Sequence, residues 1–203
     1  MTRIFVEGGG ATNATRTPCR EAFAKYVGKV IPGSRRRPSI VACGGRQQAY
    51  DDLCRALRRP EPEALYVLLV DAEELVDDRS VADPWRHLEA RDGWARPPGV
   101  AVDQAQLMVV TVESWLIADP DALERYYGRG FRRSALPASD DLERVMKRDL
   151  YQSLERATQD TKKGAYGKGH AFDLVGLVDP LRVEARCKRL AVRFHAFLRA
   201  TCG

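Results

Sequence analysis

The chain has 203 residues, 44% of them hydrophobic and 30% charged, with a formal net charge of +5 and a pI of about 9.0. This is an ordinary globular composition, enough for one α/β domain with a helical extension or for two small domains. No apolar run approaches the ~18 residues of a membrane helix. Five scattered cysteines without a CxxC pair, and three histidines without HxxxH spacing, argue against structural zinc, a disulfide framework and a zincin site.

Arg3 to Glu7 reads as a short strand entered at once. The N-terminus has no signal-peptide layout, which predicts a cytoplasmic protein. Gly8 to Gly10 must be a loop. Arg16 to Val30 reads as a helix with Ala22, Phe23, Tyr26, Val27 and Val30 on one face, with Thr17 and Pro18 as N-cap and N1. A basic loop carrying Arg35, Arg36 and Arg37 leads to a second strand, Ser39 to Cys43. A helix from Gln47 to Arg59 follows, stopped by Pro60 and Pro62. Leu65 to Val70 is a continuous apolar run of β-formers, the pattern of a strand buried on both faces. Residues 78–106 read as irregular, with a helix near Pro84 to Ala90. Gln106 to Val112 reads as another buried strand, closing on Glu113. A turn or short helix spans Ser114 to Asp119, and a helix capped by Asp119 runs from Pro120 to Tyr127. Beyond Gly130, helices are expected at Asp140 to Ala157, His170 to Leu177 and Pro180 to Leu198, with a basic glycine-rich loop at Thr161 to Gly169. Strand–helix alternation in the first 112 residues predicts parallel βαβ units.

The acids carry the chemistry. In an extended segment Asp71 and Glu73 point to the same side, because side chains alternate with period two. Open α/β sheets place ligands at the carboxyl ends of their strands, where these two stand. The plain alternative is an acidic helix start, since carboxylates favour that end of a helix dipole. Glu7, Asp71 with Glu73, and Glu113 each close a predicted strand, and parallel strands share their carboxyl ends. Such a cluster offers only oxygen ligands, which suits Mg²⁺ or Mn²⁺ rather than zinc. A basic surface around an acidic metal site is the charge layout of a nuclease.

Glu7-Gly8 after the first strand and Asp71-x-Glu73 after a later one resemble the Toprim domain of topoisomerases, primases and OLD-type nucleases. Glu113-Ser-Trp115-Leu-Ile-Ala-Asp119-Pro and Lys162-Lys-Gly-Ala-Tyr166-Gly-Lys168 resemble a bacterial domain-of-unknown-function family of similar length, related to RloB-like proteins. That second resemblance covers nearly the whole chain. Together they imply a Toprim-like α/β fold: a mainly parallel sheet of about four strands with helices on both faces in residues 1–130, and a helical extension at 131–203. They also imply a divalent-metal-dependent nuclease. Glu7, Asp71, Glu73 and Glu113 would be the metal ligands, Mg²⁺ or Mn²⁺ the cofactor, and Lys163 or Lys168 the cation on the phosphate. Tyr166 would stack on a base or orient a phosphate. His170 and Trp115 read more plainly as packing residues, and Arg35 to Arg37 as a solvated loop. The sequence departs from the Toprim pattern at Ala11, where a second glutamate is usual, and at Glu73, where the usual residue is aspartate. The competing class is a degenerate, non-catalytic module that binds nucleic acid or a partner. Small Toprim proteins of this sort resemble companions of ABC- or AAA-type ATPases in phage defence, which makes such an ATPase an expected partner.

Overall fold

Four short apolar runs pair as strands: β1 (Thr2–Glu7), β2 (Ser39–Gly44), β3 (Leu65–Asp71) and β4 (Ala105–Met108). The structure is a computed structural model and describes residues 1–10 and 12–203. The strands form one all-parallel sheet in the order β2-β1-β3-β4. Ile4 of β1 lies between Ile40 of β2 and Val67 of β3, and Val70 of β3 faces Leu107 of β4. Tyr66 to Val70 are each 2% exposed or less. Successive residues of a strand face opposite sides, so both faces of the sheet are covered at β3.

Helix α1 (Asn13–Val30) connects β1 to β2, and α2 (Arg46–Leu57) connects β2 to β3. The second connection passes back over β1, so β1 and β3 become neighbours although 57 residues separate Glu7 from Leu65 in sequence. Their shared carboxyl end is a topological switch point, where the connections diverge and leave a crevice.

Several element boundaries differ from those expected. Helix α1 begins one turn early, because the Thr12 carbonyl accepts N–H bonds from Thr15 (3.2 Å) and Arg16 (3.0 Å). Pro18 therefore sits inside the helix rather than at N1, where it withholds a single donor from the ladder. Between β3 and β4 lie α3 (Asp78–Ala82) and α4 (Pro84–Asp92), capped by the side chains of Asp77 and Asp83. Strand β4 ends at Met108, not Val112, because its partner β3 ends at Asp71. The chain beyond is held by the Ala72 and Glu73 amides and by the Ser114 hydroxyl, which donates to the Val109 and Thr111 carbonyls.

Helix α5 (Glu113–Ala118) is buried along its whole length, and α6 (Pro120–Tyr127) starts with the Asp119 carboxylate accepting the Ala122 N–H at 3.0 Å. The long helix expected over 140–157 is instead a 3₁₀ turn at Leu142–Arg144 followed by α7 (Lys147–Thr158). After α8 (Lys168–Leu177), the expected terminal helix is two: α9 (Pro180–Arg186) and α10 (Leu190–Cys202). The break comes from Glu143, fully buried, whose carboxylate accepts the N–H groups of Arg189, Leu190 and Ala191. A cap supplied from 46–48 residues away starts a new helix there.

One hydrophobic core runs from Ile4 to Cys202, so the last helices pack on the sheet domain. Helix α8 lies along α1 and α10 along β4. Arg193 of α10 donates to the Ala105 carbonyl and covers that sheet edge. Trp115 is core, stacked between Tyr26 (5.1 Å) and Phe194 (6.0 Å). The five cysteines are free thiols. Among the described residues no helix is long and apolar enough to cross a membrane.

Candidate metal centre

Glu7 is the last residue of β1. The pairing with β2 shifts register between Val6 and Glu7, and such an irregularity re-aims a side chain. Gly44, opposite Glu7, holds φ at +88°, and a Cβ there would meet the Gly10 carbonyl at 2.5 Å. Gly8 and Gly44 exchange two N–H···O bonds of 2.8 Å, so the Gly8 amide is spent within the loop and is not offered to a phosphate.

Asp71 is the last residue of β3. Glu73 lies beyond the strand with φ at +69°, a left-handed conformation unusual for a side-chain-bearing residue. Its amide donates to the Val110 carbonyl at 2.7 Å. The convergence of Asp71 and Glu73 thus comes from this turn, not from strand alternation. One carboxylate oxygen from each of Glu7, Asp71 and Glu73 lies within 4.8 Å of the others.

Glu113 does not close a strand; it is the first residue of α5 and is 2% exposed. Its Oε1 accepts the Tyr166 hydroxyl at 2.7 Å, and its buried Oε2 has no hydrogen-bond partner within 3.5 Å among the described residues, although the Tyr151 hydroxyl is electrostatically linked to this carboxylate. Burial, then Glu113, then Glu7 and Glu73 push the Asp71 carboxyl well above its ordinary range, against the Val112 N–H that donates to it at 2.8 Å. That bond also ties Asp71 to the start of α5, so part of the capping reading is realised. Burial likewise raises Glu7, opposed by Arg46.

Two cations answer the four carboxylates. Arg46, at the start of α2, donates to Glu7 Oε2 at 3.3 Å and to the Asp71 carbonyl. Its other face makes a two-pronged pair with Asp92, Nε to Oδ1 at 2.9 Å and Nη2 to Oδ2 at 2.6 Å. Lys147, the first residue of α7, pairs with Glu73 Oε2. With Arg46 committed to Asp92, the site keeps an excess of negative charge.

The residues present fit a hard divalent cation. The donors are all oxygens, three of them within one coordination sphere's span, and Glu113 Oε2 is a buried acceptor without a hydrogen bond among the described residues. Asp71, Glu7 and Glu73 would be ligands; Glu113, expected as a fourth, is not in that converging group and acts on Asp71 through its charge.

The other expected site residues fall elsewhere. Lys163 Nζ lies 4.4 Å above the Tyr126 ring and Lys168 is exposed at the first position of α8, so neither is drawn into the carboxylates. Tyr166 is buried and spends its hydroxyl on Glu113, which leaves its ring unable to stack on a base. His170 Nδ1 and the Tyr127 hydroxyl are 2.9 Å apart, a packing role. Arg35, Arg36 and Arg37 are exposed. Ala11 lies outside the described residues. Sequence reasoning missed Lys147 and Arg46. Arg46 follows a Gly-Gly pair after a strand, and that position at a helix start was the available signal. Lys147 had none, because it meets Glu73 across 74 residues.

A family described as Domain of unknown function (DUF4276) has a model that matches residues 6–199, nearly the whole chain. No curated protein and no solved structure matches.

Proposed function

The chain belongs to this family of domains of unknown function, DUF4276, and from its carboxylate cluster we propose that it is a divalent-metal-dependent phosphodiester hydrolase acting on nucleic acid. The observation that carries this reading is the meeting of Glu7, Asp71 and Glu73 within 4.8 Å at the switch point between β1 and β3. The net charge of +5 supports a polyanionic substrate.

A bound Mg²⁺ or Mn²⁺ supplies Lewis-acid polarisation of a phosphoryl oxygen and a water of lowered pKa. The chain's own groups do the rest. Arg46 holds the Glu7 carboxylate and the Asp71 carbonyl in place while anchored on Asp92. Burial strengthens that hold, since charges act more strongly away from water. Lys147 neutralises Glu73 in the free chain and is the cation within reach of a phosphate at the site, the part first expected of Lys163 or Lys168. The Tyr166 hydroxyl fixes Glu113 in one rotamer. The resemblance of the short motifs Glu7-Gly8 and Asp71-x-Glu73 to those of Toprim-type nucleases points to the same reaction class. A role in phage defence beside an ABC- or AAA-type ATPase belongs to the same proposal.

A second reading has its own observation. Arg46 and Lys147 already pair with two of the acids, the arrangement of a site retired to a binding role. Asp71→Asn separates the two readings, since it keeps shape and removes charge. Wild-type protein should gain thermal stability with Mn²⁺, about 2.7 kcal/mol at a hundredfold excess over Kd, and should cleave labelled oligonucleotides only with metal. The variant should lose cleavage and most of the gain. Equal Mn²⁺ responses in both proteins would leave the binding module as the better account.

A further inference from the structure

Beside the carboxylates lies a cleft of about 530 Å³ that shares Glu73 and Lys147 with the site and extends past them. Glu73, Leu75, Val110 and Met146 are among the residues that line it. Large apolar side chains are mostly buried in this chain, yet Leu75 is 47% and Met146 54% exposed, and both line this cleft. Next to Met146 stand Lys147 and Arg148, the first residues of α7, a helix without a side-chain N-cap. Glu74 also borders the cleft, 3.7 Å from the Arg91 guanidinium.

We propose that this cleft holds one unstacked nucleobase next to the scissile phosphate, so that the substrate is single-stranded nucleic acid or an unpaired end. This rests on the phosphodiester reading above. The volume suits a nucleotide, within the ~300–1,000 Å³ of small-molecule sites. Leu75 and Met146 offer exposed apolar surface to the base faces, as sites for extruded bases do. Lys147 and Arg148 complement the flanking phosphates, and Glu73 joins the cleft directly to the carboxylate cluster. Inside a duplex both faces of a base are already stacked, so the slot is closed to paired nucleotides.

The test is fluorescence anisotropy with a short labelled oligonucleotide, single-stranded and in a duplex, in Ca²⁺ buffer with the full chain. The double variant Leu75→Asn and Met146→Gln keeps size and charge and removes the apolar contacts at exposed positions. Single strand should bind about tenfold tighter than duplex, the factor expected when the apolar area of one base face is withdrawn from water against Leu75 and Met146. The double variant should lose that preference, while Leu75→Met with Met146→Leu should keep it. Equal binding of duplex and single strand, a preference untouched by the polar variant, or no binding of either probe would overturn the proposal. Cleavage in Mn²⁺ is read separately: a cleft-dependent single-strand preference without cleavage keeps the base pocket and sinks the hydrolase.

Discussion

Lys147 shows how one side chain can serve two states. In the free chain it pairs with Glu73; on the proposed metal reading, a cation on the carboxylates would displace it toward the cleft. Its removal should therefore ease metal entry and slow turnover. Lys147→Gln is expected to tighten Mn²⁺ binding up to about fivefold, because a partly exposed pair contributes only about 0.2–1 kcal/mol, and to lower kcat on oligonucleotides. Isothermal titration and a cleavage assay read the two effects. Unchanged metal affinity would mean that Lys147 does not compete for the site.

At the scale of elements, the register of the site depends on how helices begin. Glu143 binds the first amides of α10 and pairs with Arg189, while α10 covers the β4 edge through Arg193. Burial raises the Glu143 carboxyl, and the Ala191 and Arg189 amides and the Arg189 guanidinium pull the other way. Glu143→Gln sets an amide NH₂ against backbone donors in a dry position. That should cost about 2 kcal/mol and lower Tm by about 4–8 °C in a chain of this size. Thermal unfolding with hydrogen exchange checks it: the β4 and α10 amides should lose protection first. An unchanged Tm would show that α10 needs no such cap.

Across the whole molecule, His195 ties the N-terminal and C-terminal thirds together. It is fully buried, with Nε2 2.8 Å from the Tyr26 hydroxyl of α1 and Nδ1 2.8 Å from Glu184 Oε1 of α9. Burial lowers its pKa, against the opposing pull of Glu184. A histidine with a depressed folded pKa binds its proton more readily when unfolded. Its contribution to stability is thus complete above the unfolded pKa of about 6.5 and is lost as pH falls through the folded value. Glu7 and Asp71, both raised, act with the opposite sign, since their contribution is lost as pH rises. The urea midpoint of wild type should therefore fall more between pH 7.5 and 5.5 than that of His195→Asn. Parallel pH profiles would remove His195 from the account.

What the chain's order of residues determined by itself is local. The run Leu65 to Val70 is apolar at every position and can only be a strand covered on both faces. Strand–helix alternation imposes parallel pairing, and Glu7 and Asp71 come at the ends of their strands because the apolar runs stop there. Proline and aspartate at 83–84 and 119–120 mark helix starts that need no distant partner. Tertiary structure decided what depends on long-range contacts. Helix α10 starts where Glu143 reaches it, β4 stops where the chain after β3 turns left-handed at Glu73, and Glu113 joins the acids from a helix rather than a strand. Arg46 and Lys147 displaced Lys163 and Lys168 as the cations on the site because the crossing of α2 and the start of α7 bring them there. No spacing along the chain encodes those distances; only the packed fold does.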